Sequence, residues 1–197
     1  MVTGYLKSTK TTKIKTDYQQ ILYMARPEKV LKYCPSCGSG LFKTDSAKSF
    51  KCDSCGFKFF INSAAAVAAV IENEDGQILL TVRGVEPAIG ALDLPGGFVD
   101  PMENGEDALK RELKEELNLE VTDLTYLGSF PNEYVYNDYS VFTTDFGFAC
   151  KVKSFENIKV DDDIADFHFF DPKEIDFNKI SSNSIKKILK TYLADKK

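Results

Sequence analysis

The chain has 197 residues, enough for one ordinary domain plus a small appendage. An apolar content of 43% and a charged content of 28% belong to a water-exposed globular fold, and no run of eighteen apolar residues is present to span a membrane. The opening twenty residues lack the apolar core of a signal peptide, so the cytoplasm is the expected compartment.

The net charge of −5 is unevenly divided. Residues 1–60 carry 11 Lys/Arg against 4 Asp/Glu, and the remainder carries 14 against 26. An acidic body repels an anionic substrate unless its carboxylates hold cations. The basic front can meet phosphates or form a solvated face.

Residues 1–16 are rich in Lys, Thr and Ser with no apolar period, which predicts an unordered arm. A short helix is expected over 17–31, interrupted by Pro27, and Met24 is a candidate natural start. The basic arm, 1–32, then gives way to a metal-binding segment over 33–62 and a main domain over 63–197.

Within 33–62, Cys34-Pro-Ser-Cys37-Gly and Cys52-Asp-Ser-Cys55-Gly are near-copies. Paired C-x2-C knuckles in a chain without a secretory signal predict a metal site before disulfides. Gly38 and Gly56 free the backbone to curl, and four sulfurs make a closed tetrahedral zinc ribbon, with rubredoxin-like iron as the rival. Cys150 stands apart in an apolar stretch and is expected to be a core thiol.

The small-residue run 64–71 and the segment 77–83 predict two strands joined at Asp75-Gly76 as a hairpin. Residues 92–95 lead into Gly96-Gly97. Residues 105–117 give the clearest helix, with Asn104 as N-cap, Asp107 completing a capping-box-like start and Asn118 at the left-handed C-terminal position. Strands are expected over 125–130, 140–151 and 166–170. A closing amphipathic helix over 184–193 places Ile185, Ile188, Leu189 and Tyr192 on one face.

At about 100° per residue, Glu112, Glu115 and Glu116 share an arc of roughly 100° beside Leu109, Leu113 and Leu117. Three like charges on one stripe are unfavourable unless neutralised. Arg111 can answer one, and the rest suit Mg2+ or Mn2+ or, more plainly, solvent.

The stretch 97–119 reads G-x5-E-x7-R-E-L-x-E-E-x-N-L, on Gly97, Glu103, Arg111, Glu112, Leu113, Glu115, Glu116, Asn118 and Leu119. It resembles the Nudix box, departing only where Asn118 replaces the last glycine; the lead-in Leu94-Pro95-Gly96-Gly97 matches as well. The resemblance implies an α+β fold, an α/β/α sandwich with a mixed sheet, preceded here by the small ribbon. It implies a metal-dependent hydrolase that cleaves a diphosphate linkage by water attack at phosphorus.

By the same resemblance Glu112, Glu115 and Glu116 carry Mg2+ or Mn2+, with Glu103 as a further candidate that supports the loop or Arg111. Arg111 orients the glutamates, and Gly96 and Gly97 admit the phosphates. Arg83 is a candidate substrate contact. A carboxylate outside the box completes many Nudix sites; register over 161–170 points to Asp163, with a solvated acidic turn as the alternative. His168, the one histidine, is expected at the surface or in packing.

Ribbon followed by box resembles the NADH pyrophosphatase branch. The branch signature S-Q-P-W-P-F-P-x-S is not reproduced by Gly128-Ser129-Phe130-Pro131-Asn132-Glu133-Tyr134, and the chain has no tryptophan. Tyr134, Tyr136 and Tyr139 stack on a base or face the core. The expected partner is a small nucleotide, ADP-ribose-like or a dinucleotide such as NADH. Nucleic acid and a homodimer stay open, a membrane is not expected, and the alternative function is a non-catalytic nucleotide sensor or a ribbon-based nucleic-acid binder.

Overall fold

The computed structural model describes residues 20, 22–161 and 163–196. The expectation of an unordered arm over 1–16 and the start of the helix expected from residue 17 lie outside them. Two compact units are present: residues up to Asn62 with Glu133–Val141, and Ser63–Asn132 with Phe142–Lys197. None of their helices is long and apolar enough to cross a membrane.

In the first unit, helical residues 22–24 give way at Ala25–Arg26, and Pro27 opens the next helical turn, α1 (Pro27–Val30). Proline suits this first position because its missing N–H has no intrahelical partner to lose. Strands β1 (Phe42–Ser46), β2 (Ser49–Cys52) and β3 (Lys58–Phe60) form an antiparallel meander. One face buries Phe42, Phe50 and Cys52 with Cys34, and Phe42 stacks on Phe50 at 5.2 Å between ring centroids. So small a core cannot hold a fold alone, which is the usual reason for a metal staple.

The second unit is layered. Strand β4 (Ala64–Ile71) is apolar on both faces and lies parallel to β8 (Tyr139–Val152), whose other neighbour is β7 (Val121–Tyr136). Val67, Ala69 and Ile71 join a core with Leu109, Leu113 and Leu117 of helix α2 (Gly105–Leu117). The intervening Ala68 and Val70 join Ile185, Ile188 and Leu189 of helix α3 (Asn183–Asp195). A strand's period of two thus separates two helix layers. A second sheet, ordered β6-β5-β9, comprises β6 (Leu92–Asp93), β5 (Ile78–Arg83) and β9 (Ile164–Phe170).

The expected hairpin of 64–71 with 77–83 is corrected. β4 takes β8 as its partner and β5 takes β6 and β9; only the bridge Glu72–Ile78 joins the two ends. The Asn73 side chain accepts from the Asp75 and Gln77 N–H groups, and Gly76 sits at φ +79°, so the tight turn is real. β4 is apolar throughout and β5 is apolar apart from Thr81 and its Arg83 end, and each finds burial in its own sheet. The single central sheet expected from the sequence is accordingly two, of which β4-β8-β7 is the mixed one. A true hairpin joins β7 to β8 through Asn137 and Asp138, both left-handed at φ +48° and +58°, as a two-residue turn demands.

Helix α3 lies close on β8. A Cβ added to Gly147 would sit 2.8 Å from Ile188 Cγ1 and Cγ2, on a fully buried side chain stiff at χ1. Gly147→Ala is expected to destabilise the protein by about 1–3 kcal/mol. An unchanged midpoint in urea unfolding would show instead that α3 yields freely.

Candidate active site

The site is built where a glycine pair passes beside the second half of α2. Residues 95–99 run along the free edge of β4: Val67 N–H donates to the Gly97 carbonyl at 2.9 Å, Ala69 N–H to Pro95 at 2.9 Å and Val99 N–H to Ala65 at 3.0 Å. At Gly96, φ is +138° and a Cβ would fall 2.2 Å from the Val67 carbonyl oxygen. At Gly97 a Cβ would fall 2.6 Å from the carboxyl carbon of Glu112. At Gly96 only glycine fits against the strand, and at Gly97 a side chain would force the Glu112 carboxylate aside.

Helix α2 opens and closes as the sequence predicts. Asn104 Oδ1 accepts from the Asp107 N–H at 2.9 Å, and Asn104 Nδ2 donates to the Asp107 carboxylate at 2.7 Å. Asn118 adopts φ +54° and ψ +32° and closes the helix where the pattern has glycine.

Arg111 is the hub. Its Nε and Nη2 grip both oxygens of Glu103 at 3.0 and 2.9 Å, and Nη2 also donates to the Phe98 carbonyl at 3.0 Å. Nη1 donates to Glu112 at 2.8 Å and to Glu115 at 3.1 Å. These carboxylates, Glu103 first, raise the Arg111 pKa further. Glu103, held by Arg111 and by the Asp100 N–H at 3.0 Å, is held below the ordinary carboxylate value.

Glu116 is buried, and its carboxylate accepts from the Gly96 N–H at 2.9 Å. Glu112 is nearly buried too, whereas the Glu115 side chain is 54% exposed. Four carboxylates against one guanidinium leave an anionic, hard-oxygen surface, the donor chemistry that Mg2+ and Mn2+ take. Those oxygens are spread over Arg111 and Gly96. Among the described residues, the metal-ligand atoms gathered within 4.8 Å of one another are the sulfurs of Cys34, Cys37, Cys52 and Cys55.

The sulfur cluster has a tetrahedral fit. Cys34–Cys55 and Cys37–Cys52 Sγ separations are both 3.7 Å, and a tetrahedral zinc with about 2.3 Å bonds spaces its sulfurs about 3.8 Å apart. The knuckles repeat one another: Gly38 N–H donates to Cys34 C=O and Gly56 N–H to Cys52 C=O, with φ of +72° and +76° at the glycines. The Cys55 backbone N–H, together with other neighbours, pulls the Cys52 thiol down to about 7.

Asp163 is exposed, and its carbonyl accepts from Gly84 N–H at 2.7 Å. The segment before it is tied to the last turn of α2, where Lys159 N–H donates to Leu117 C=O at 3.2 Å and Asp161 N–H to Glu116 C=O at 2.9 Å. Asp162 lies outside the described residues. Arg83 is held by Asp93 at 3.0 Å and by the Pro87 carbonyl at 2.8 Å. Burial pushes Asp93 upward against the pull of Arg83. Tyr134 lies on β7 in the segment grouped with the cysteine unit, and His168 is exposed beside Asp166. Sequence reasoning passed over the Phe98 carbonyl, the Gly96 N–H and Asp93; the first two are backbone groups, and no spacing marks Asp93.

Residues 62–192 match the family model described as the NUDIX domain. The chain belongs to the Nudix family. A Pseudomonas fluorescens protein named NAD-capped RNA hydrolase is 27% identical over 143 residues, covering 71% of this chain and 48% of the relative. One of the same name from Deinococcus radiodurans is 27% identical over 117 residues, 58% and 42% of the two chains. The chain spans about half the length of these curated relatives. Among solved structures, a Nudix hydrolase from Nitrosomonas europaea superposes with a TM-score of 0.60 at 23% identity, covering 84% of this chain and 92% of the other. The Nudix domain indicates pyrophosphohydrolase-type catalysis.

Gly97→Ala is expected to displace Glu112 and to lower activity at least about tenfold while the fold persists. Near-native turnover of a folded Gly97→Ala protein would contradict the contact. The Glu103–Arg111 pair also has a pH signature. Because the folded Glu103 pKa is depressed, its stabilisation is present above the ordinary value of 4.5 and is lost as pH falls below it. Urea midpoints from pH 6 to about 3 should therefore fall less steeply in Arg111→Ala than in the wild type.

Proposed function

We propose that this Nudix protein hydrolyses the diphosphate of a nucleoside diphosphate derivative, either ADP-ribose-like or a dinucleotide such as NADH or NAD. The same linkage at the 5′ end of an RNA is the extended form of that substrate. The observation that carries this is the Arg111 hub, which fixes Glu103, Glu112 and Glu115 beside the glycine pair that Glu116 also binds. The names of the curated relatives favour dinucleotide ends over nucleoside triphosphates.

Glu112, Glu115 and Glu116 would hold Mg2+ or Mn2+, with Glu103 supporting from behind Arg111. The metal would supply polarisation of the diphosphate and a stronger water nucleophile. Glu115 is the most exposed of the set, and Arg111 keeps Glu112 aimed. The backbone at Gly96 and Gly97 lets a phosphate approach where any side chain would block it. Asp163 takes the proton of the attacking water. The new P–O bond forms on one phosphorus, the bridging oxygen leaves with the other, and two phosphomonoesters result. Arg83 is the candidate contact to a substrate phosphate, and Tyr134, in the other compact unit, is an aromatic of the kind that stacks on a base.

Cys34, Cys37, Cys52 and Cys55 hold structural zinc, with no open position for chemistry. About one equivalent of zinc should purify with the chain, and its chelation should lower Tm.

The test is phosphate-ester release from NADH, NAD, ADP-ribose, diadenosine polyphosphates and nucleoside triphosphates, each with Mg2+ or Mn2+. A dinucleotide or ADP-ribose should be preferred over every triphosphate, and Glu116→Gln should lose about 100-fold or more. Faster triphosphate turnover would overturn the substrate class. No turnover with zinc retained would favour a nucleotide sensor.

A further inference from the structure

The outer face of the small sheet serves neither the sulfur cluster nor the glutamate site. Its register sets Lys43 opposite Lys51 and Lys51 opposite Lys58, so each strand contributes one lysine to a single row. Like charges directly opposed across strands destabilise a sheet, and all three side chains are exposed. The outer two are answered by Asp53 at 2.9 Å and Asp45 at 2.6 Å, whereas the central Lys51 makes no ion pair among the described residues. Phe60 lies two residues beyond Lys58 on the same face, 49% exposed, with Lys58 Nζ 5.3 Å from its ring centroid.

Phe42, Phe50 and Cys52 occupy the opposite face, so the row points away from the thiolates whose charge would offset it. Neighbouring strands space the lysine backbones about 4.8 Å apart, which sets three ammonium groups in one row suited to a polyanion. An exposed aromatic beside such a line is what an unstacked base requires, and neither an acidic protein nor a lipid headgroup needs it.

We infer that Lys43, Lys51 and Lys58 bind the phosphate backbone of single-stranded RNA while Phe60 stacks on a base. This deepens the proposed function, since it gives the body of an RNA substrate a place to bind. Each phosphate contact by a lysine contributes about 0.7 to the slope of log K against log salt for a single strand.

The experiment is fluorescence anisotropy of a labelled, unstructured RNA oligonucleotide across a salt series, using the full chain with its zinc content measured. In Lys43→Gln/Lys51→Gln/Lys58→Gln the slope should become shallower by about 2, and in Lys51→Gln alone by about 0.7. Phe60→Ala should weaken binding about tenfold with the slope unchanged. RNA affinity and slope unaltered in a zinc-retaining Lys51→Gln and in the triple variant would overturn the inference. So would binding to phosphatidylserine vesicles that is lost in the triple variant while RNA binding stays intact. Turnover of NADH, NAD and ADP-ribose on the same preparations reads the active site separately: absence of all three defeats the proposed function, while the salt slopes decide the lysine row independently.

Discussion

One guanidinium holds the catalytic face together. Arg111 reaches Glu103, Glu112, Glu115 and the Phe98 carbonyl at once, and so ties the loop before the helix to the helix itself. Without that cation, three glutamates on one arc would repel one another and the helix's acidic stripe would favour solvent. Arg, with its planar fork and permanent charge, can make these bonds together; Lys cannot. The glycine pair answers two neighbours at once: a Cβ at residue 96 would strike the Val67 carbonyl of β4, and one at residue 97 would displace the Glu112 carboxylate of the helix.

The fold serves that arrangement by enclosing β4 on both faces. Its alternate side chains feed two separate cores, one under α2 and one under α3, so the edge along which residues 95–99 run is held rigidly. A rigid edge matters because Glu116 is buried against a backbone N–H of that same segment. A carboxylate placed there keeps its position only if both helix and strand keep theirs.

Much of this was legible in the residues. The helix from Gly105 to Leu117, its Asn104 cap and its left-handed Asn118 end were legible because capping is local chemistry with few alternatives. The sulfur cluster was legible because two near-identical knuckles leave little freedom in where four thiols can go. Strand partners were not: β4 is uniformly apolar and β5 is buried on both faces over residues 78–81, and periodicity cannot say which sheet a doubly buried strand joins. The long β7 was hidden by Gly128 and Pro131, which are tolerated on a strand at the sheet's edge. Arg83 shows the same limit in the site. Its charge suggested a phosphate, while its tie to Asp93 depends on a two-residue strand that no pattern announces.

The central claim is that the face organised by Arg111 binds divalent metal through Glu112, Glu115 and Glu116. Titration with Mn2+, followed by the electron paramagnetic resonance signal of the free ion, tests it without any assumption about substrate. The wild type should take up Mn2+ at a site that is lost in Glu115→Gln/Glu116→Gln while zinc content and Tm are kept. Equal Mn2+ binding by the two proteins would contradict the claim and move the metal away from the helix.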